Sequence, residues 1–315
     1  MASAGGRLAL RGIRPPTKLP TLSPSRQLPV RICANPSSVP SARYTSTTTS
    51  QPPNESTEHE TQSSVDPAEI RHFDGLASSW WDPYGTSRLL HLMNPLRHTF
   101  ISRCRATSAK SASSAPSGQL RYLDVGCGGG IFAESAARLP GTASVTGVDP
   151  SPAVLAVARA HARRDPVLLE PGRLEYRNAA VEQLARPEGP GQQYDVVSLF
   201  EVLEHVSYPA PFLQSVMPHV KPGGWLVLST IARTWTSWLT TKVVAEEVVR
   251  MVPRGTHDWS KYVNESELRA WFAKQPGWDN SQTMGVVYVP GMGWSEVRGG
   301  EGFGNYFFGV QKSIS

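Results

Sequence analysis

Glycines at positions 126, 128, 129 and 130 follow the strand-like run Tyr122-Leu123-Asp124-Val125 and precede a helix-like run, Ile131 to Arg138. Alternating glycine lets a backbone turn sharply and approach a ligand with no Cβ in the way. A second strand-like run, Ser144 to Val148, ends in Asp149. A carboxylate at a strand end, about 20 residues past such a loop, is placed to accept hydrogen bonds from two ribose hydroxyls. A dinucleotide fingerprint would have its third glycine at position 131, where this chain has Ile131. Gly-x-Gly-x-Gly led by Asp124 instead suits a nucleoside that carries no pyrophosphate.

A second constellation, Phe200-Glu201-Val202-Leu203-Glu204-His205-Val206, directly follows another strand-like run. On a helix Glu201, Glu204 and His205 stand at i, i+3 and i+4 and project from one face. Two carboxylates and an imidazole converging there are suitable ligands for Mg²⁺ or a similar dication. The same acids also suit a solvated helix start, where the dipole favours negative charge. Arg97, in Asn94-Pro95-Leu96-Arg97, offers a planar fork for a carboxylate, although the default for a lone arginine is the surface. His257 lies beside Asp258 in a loop, as a base or a substrate contact. Cys127 is a small filler of the glycine loop rather than a nucleophile. With only Cys33, Cys104 and Cys127, the chain has neither zinc spacing nor a disulfide framework.

A nucleoside ligand without a pyrophosphate points to S-adenosylmethionine, whose methionine carboxylate would meet Arg97 and whose ribose would meet Asp149. The cofactor residues expected on these grounds include Gly126 and Gly128 of the loop.

These groups need a scaffold. Helical patterns at Pro152–Arg163 and Pro211–Val220 alternate with strand patterns at Arg173–Arg177, Tyr194–Leu199 and Trp225–Ser229. Strands separated by helices of this length predict a doubly wound, mostly parallel α/β sheet of Rossmann-like type. Two closing strands are expected at Thr283–Val289 and Asn305–Gln311. Ahead of the sheet, Asp66-Pro67-Ala68-Glu69 starts a helix, and His72-Phe73 to Trp80-Trp81 reads as a helical lid or packing element. Leu89–Arg103 is helical with an interruption at Asn94-Pro95, and Arg105–Gln119 is a flexible Ser/Ala insertion. Thr234–Val252 has the broad apolar face of a helix that is either core or a surface for lipid.

Residues 1–44 read as a mitochondrial transit peptide, 45–67 as a disordered linker and 68–315 as the working domain. No Asp or Glu occurs before Glu55, while seven basic residues, Arg7 to Arg43, are spread through the leader. Arg43-Tyr44 followed by Thr45-Ser46 is a plausible processing point. The whole chain carries +5; without the leader it has 24 basic and 26 acidic residues, net −2. A body without basic excess weighs against a nucleic-acid substrate.

Five blocks in order carry a resemblance: Ser79-Trp80-Trp81-Asp82, Asn94-Pro95-Leu96-Arg97, Leu123 to Gly130, Glu201 to Val206, and Val252-Pro253-Arg254-Gly255-Thr256-His257-Asp258. From about Glu69 onward the chain resembles the ubiquinone-biosynthesis O-methyltransferases, of the mitochondrial type, within the class I methyltransferases. The resemblance implies cofactor contacts at Arg97, Gly126, Asp149 and Phe200, and a divalent metal, Mg²⁺ first, at Glu201, Glu204 and His205. It implies methylation of a catechol hydroxyl of polyprenyl dihydroxybenzoate and of demethylubiquinol, with His205 or His257 taking the proton. It also implies a mitochondrial-matrix enzyme on the inner membrane surface, within a multi-subunit coenzyme Q assembly. The Ser/Ala insertion and the glycine-rich stretch Gly299–Gly304 depart from the family pattern. A methyltransferase for a soluble phenol or a protein, or a cofactor-binding subunit without turnover, are the other readings of the same residues.

Overall fold

The computed structural model describes residues 63–111, 119–233, 262–302 and 304–314. The expected leader, His257 and the apolar Thr234–Val252 segment lie outside the described residues.

Helix α1 (Pro67–Leu76) begins as its sequence requires: the Ala68 N–H donates to the Asp66 carboxylate at 2.8 Å and proline fills the first turn. Helix α2 (Arg88–Ser111) is continuous through Pro95, where an interruption was expected, and it extends into the stretch read as flexible. Losing one backbone hydrogen bond at Pro95 is outweighed by Met93, Phe100, Ile101 and Cys104, all buried against the sheet.

The chain then alternates as β1 (Leu120–Val125), α3 (Ile131–Ala137), β2 (Thr142–Asp149), α4 (Pro152–Ala162), β3 (Leu174–Asn178), β4 (Tyr194–Phe200), α5 (Pro209–Val216) and β5 (Val220–Ile231). Helix α6 (Glu265–Phe272) and strands β6 (Trp278–Val289), β7 (Gly293–Val297) and β8 (Asn305–Lys312) follow. Among the described residues these form one eight-stranded sheet in the order β3-β2-β1-β4-β5-β8-β6-β7. The first five strands run parallel, while the β5–β8, β8–β6 and β6–β7 pairs are antiparallel. The doubly wound α/β expectation holds, with an antiparallel wing added.

Period-2 alternation sends neighbouring residues into two cores. Leu123, Val197, Leu226 and Phe308 pack on one face with α5 and α6. Tyr122, Val196, Trp225 and Phe307 pack on the other with α2 and α3. Strand order reverses at β1, between β2 and β4, so a crevice opens beyond the carboxyl ends of these strands. Both chemical constellations are delivered to that rim.

Candidate active site

The loop after β1 is held by its own backbone before any ligand is considered. The N–H groups of Gly126 and Cys127 both donate to the Val148 carbonyl of β2, at 2.8 and 3.1 Å. Gly126, Gly128 and Gly130 have φ of 68°, 52° and 87°, the left-handed region that favours glycine. Packing also demands the missing Cβ atoms. A Cβ at Gly129 would lie 2.1 Å from the Trp80 indole, and one at Gly130 would lie 2.1 Å from the Tyr176 hydroxyl oxygen. Ligand access is therefore only part of why glycine occupies these positions.

Asp149 closes the loop from β2. Its Oδ2 accepts from the Gly128 N–H and its Oδ1 from the Ser151 N–H, each at 2.9 Å. Burial raises its pKa, and these two donors pull against the rise. Lone pairs remain for further donors, as a ribose diol would require. Asp124, the acidic lead residue, is a core group instead. It accepts from the Ser198 hydroxyl at 2.6 Å, and burial pushes it up to about 7. Cys127 is buried, and its thiol is raised well above the ordinary value by burial first and Asp149 next, which suits a filler.

Arg97 is not on the surface: it is 3% exposed on α2, its guanidinium 4.8 Å from the Phe200 ring centroid. Its Nε is buried without a partner, and it makes no ion pair with another described residue. Burial lowers its pKa, with Glu201 and Asp124 raising it. A buried, under-satisfied cation is the complement of an anionic ligand group. Phe200, expected as a cofactor contact, has its side chain in the core beneath Arg97 and against Phe132.

The second constellation departs from expectation. Glu201 adopts φ 57°, and only a 3-10 turn, Leu203–His205, follows it, so no α-helical face carries Glu201, Glu204 and His205. Helix α5 begins later, at Pro209. The Glu201 carboxylate accepts from the Ser229 hydroxyl at 2.6 Å, and buried Glu204 accepts from Thr230 at 2.9 Å. Burial and then the Glu201 charge push Glu204 up to about 7. His205 Nδ1 lies 3.1 Å from Glu69 on α1, which fixes the proton on Nδ1 and leaves Nε2 available. Burial lowers the His205 pKa, but Glu69 and Glu204 outweigh it and the net shift is upward.

Two crowded carboxylates and an oriented imidazole have the donor chemistry a divalent cation needs. Their arrangement does not yet provide its geometry. Among the described residues, no three His, Cys, Asp or Glu side chains stand in a metal-holding group.

A cleft of about 530 Å³ including its open mouth lies between α1 and the ends of β1 and β2. Phe73, Val148, Pro150, Val181 and Phe212 give it apolar walls, with Glu69 and His205 as polar members. Its walls include Val148 and Pro150, the chain neighbours of Asp149, but neither Asp149 nor Arg97 lines it. Glu69 was legible only as a helix-start acid. Its meeting with His205 is a tertiary contact that no spacing announces.

A protein-family model described as a methyltransferase domain matches residues 88–283. The Schizosaccharomyces pombe protein named ubiquinone biosynthesis O-methyltransferase, mitochondrial, is 46% identical over 257 residues, which cover 80% of this chain and 88% of its own. A Candida albicans protein of the same name is 38% identical over 287 residues, covering 79% and 86%. Among solved structures, the plantazolicin methyltransferase BpumL, crystallised with SAH, is 15% identical with a TM-score of 0.49, covering 78% of this chain and 98% of its own. On its sequence relatives and its domain match, the chain belongs to the ubiquinone biosynthesis O-methyltransferase family of S-adenosylmethionine-dependent methyltransferases.

Proposed function

We propose that this chain transfers a methyl group from S-adenosylmethionine to a catechol hydroxyl of polyprenyl dihydroxybenzoate and of demethylubiquinol. The observation that carries this reading is the 46% identity to the fission-yeast protein along 80% of the chain. When bound, S-adenosylmethionine supplies an electrophilic methyl on a sulfonium centre. Asp149 receives the two ribose hydroxyls on lone pairs that Gly128 and Ser151 do not use. Arg97 takes the methionine carboxylate, steadied by the Phe200 ring, while Gly126 and Gly128 bring backbone to the ligand. The catechol oxygen attacks in line; its bond to the methyl carbon forms as the carbon–sulfur bond breaks, and its proton goes to a histidine.

His205 is one candidate base, through Nε2, because Glu69 engages Nδ1. His257 is the other. A divalent cation, Mg²⁺ first, held by Glu201, Glu204 and His205, would lower the catechol pKa and orient it. One nitrogen of His205 cannot both bind a cation and take a proton, so with metal bound the base is His257.

The leader supports import into mitochondria, and the mitochondrial name of two relatives agrees with it. The reading continues to a matrix protein on the inner membrane surface, in a multi-subunit coenzyme Q assembly, with no nucleic-acid partner. No described helix is long and apolar enough to cross a membrane, which is compatible with surface attachment. Residues 1–44 are assigned to the transit peptide, 45–67 to the linker and 68–315 to the enzyme.

The test is methyl transfer by purified protein to a short-chain polyprenyl dihydroxybenzoate, with and without chelator, alongside the quinone intermediates that accumulate when the gene is lost. Product formation that chelation abolishes, with cofactor binding intact, supports enzyme and metal together. Full turnover in chelated buffer removes the metal and leaves proton removal to histidine. Cofactor binding without turnover on this substrate favours a soluble-phenol or protein methyltransferase, or a non-catalytic subunit.

A further inference from the structure

The double tryptophan between α1 and α2 crosses the glycine loop. Trp80 is 8% exposed and lies directly on Gly128 and Gly129, filling the space their missing Cβ atoms leave. Trp81 donates its indole N–H to the Gly129 carbonyl at 2.8 Å. The Trp81 ring lies flat on the His161 imidazole of α4, with centroids 3.4 Å apart and planes 5° from parallel. His161 Nδ1 in turn lies 2.9 Å from the carboxylate of Glu134, whose side chain is 0% exposed on α3. Arg138 supplies that carboxylate's other partner at 2.9 Å. A fully buried carboxylate is costly unless it is paired, and these two partners satisfy it.

We propose that Glu134 and His161 are positioning residues for the cofactor: through Trp81 they clamp the tryptophan strap onto the glycine loop and so hold the loop in its ligand-binding shape. The chain of contacts is short. Glu134 orients His161, and His161 supports the Trp81 ring. Trp81 fixes the Gly129 carbonyl, and the neighbouring Gly128 N–H holds Asp149 at 2.9 Å. A loosened strap therefore disturbs the carboxylate assigned to the ribose, although none of the three clamp residues is among those assigned to the ligand. The inference rests on the cofactor reading given above.

The experiment measures S-adenosylhomocysteine affinity and release rate on the full chain, together with melting temperature. Trp81→Phe keeps a ring on His161 but removes the N–H to Gly129. It should weaken binding about tenfold, the equivalent of one lost hydrogen bond, mainly through faster release. His161→Ala should do the same, and His161→Phe, which restores a flat ring without the bond to Glu134, should recover only part of the affinity. Wild-type affinity and release in both Trp81→Phe and His161→Ala, whatever happens to melting temperature, would reduce the cluster to packing and overturn the proposal. Wild-type protein that binds no S-adenosylhomocysteine would overturn the cofactor reading as well, and is recognisable because it requires no variant.

Discussion

At the scale of residues, burial decides which charged groups serve ligand and which serve the fold. Asp124 is a buried acid and Asp149 a half-buried one near the loop; Ser198 satisfies Asp124 across β4, while Asp149 holds two backbone N–H groups and keeps spare lone pairs. Asp149→Ala should weaken S-adenosylmethionine binding by about 1–3 kcal/mol, the range for a charged hydrogen bond. Calorimetry that finds unchanged affinity would remove Asp149 from the site. His98 is a structural counterpart. It lies 2.6 Å from the Ser135 hydroxyl, and burial, with Arg97 next, pushes its pKa down to about 4 from 6.5. A folded pKa below the unfolded one means that the unfolded chain takes the proton first as pH falls. The stability this histidine contributes is therefore complete above about pH 6.5 and is lost on the way down to about pH 4, at most about 3 kcal/mol. Melting temperature should fall across that window, and His98→Gln should flatten the fall. An identical acid limb in the variant would show that other groups set it.

At the scale of elements, the strap and the glycine loop specify one another. Gly129→Ala would place a Cβ 2.1 Å from Trp80, a clash the indole must yield to. The expected loss is about 1–3 kcal/mol, as for overpacked cores, and Trp80→Ala in the same chain should recover part of it. Losses that simply add in the double variant would separate the two positions. The strand and helix alternation was legible because β1, β4 and β5 are apolar runs buried on both faces and α4 carries its Ser151 cap. What eluded the sequence had a local cause in each case. Glu201 to His205 matched helical spacing, but a left-handed Glu201 breaks the helix there. Helix α6 announces itself in Asn264 and Glu267, whose carboxylate returns to the Asn264 N–H at 2.8 Å. The β6–β7 hairpin likewise had its turn marked by Pro290-Gly291-Met292-Gly293. Insertion of β8 between β5 and β6 was not legible, since long-range pairing leaves no local pattern.

At the scale of the whole molecule, charge and chemistry are divided along the chain. The first 44 residues hold seven basic and no acidic side chains, whereas the site residues assigned here begin at Glu69 on α1. On the proposed transit-peptide reading, the basic character belongs to an address and the acidic balance to the working body. Each group assigned to the cofactor, from Arg97 to Asp149 and Phe200, draws its position from α2 or the sheet and its flanking loops. A chain beginning at Thr45 should thus bind S-adenosylmethionine as the full chain does and melt within a few degrees of it. In cells the two should part company: the full chain should be imported and processed near Tyr44, and the shortened one should stay outside mitochondria. Mass spectrometry of the endogenous amino terminus checks the first half. A terminus at Met1 or Ala2 on cytosolic protein would overturn the transit-peptide reading. Weaker cofactor binding by the shortened chain would instead show that the leader also supports the fold, which the charge division argues against.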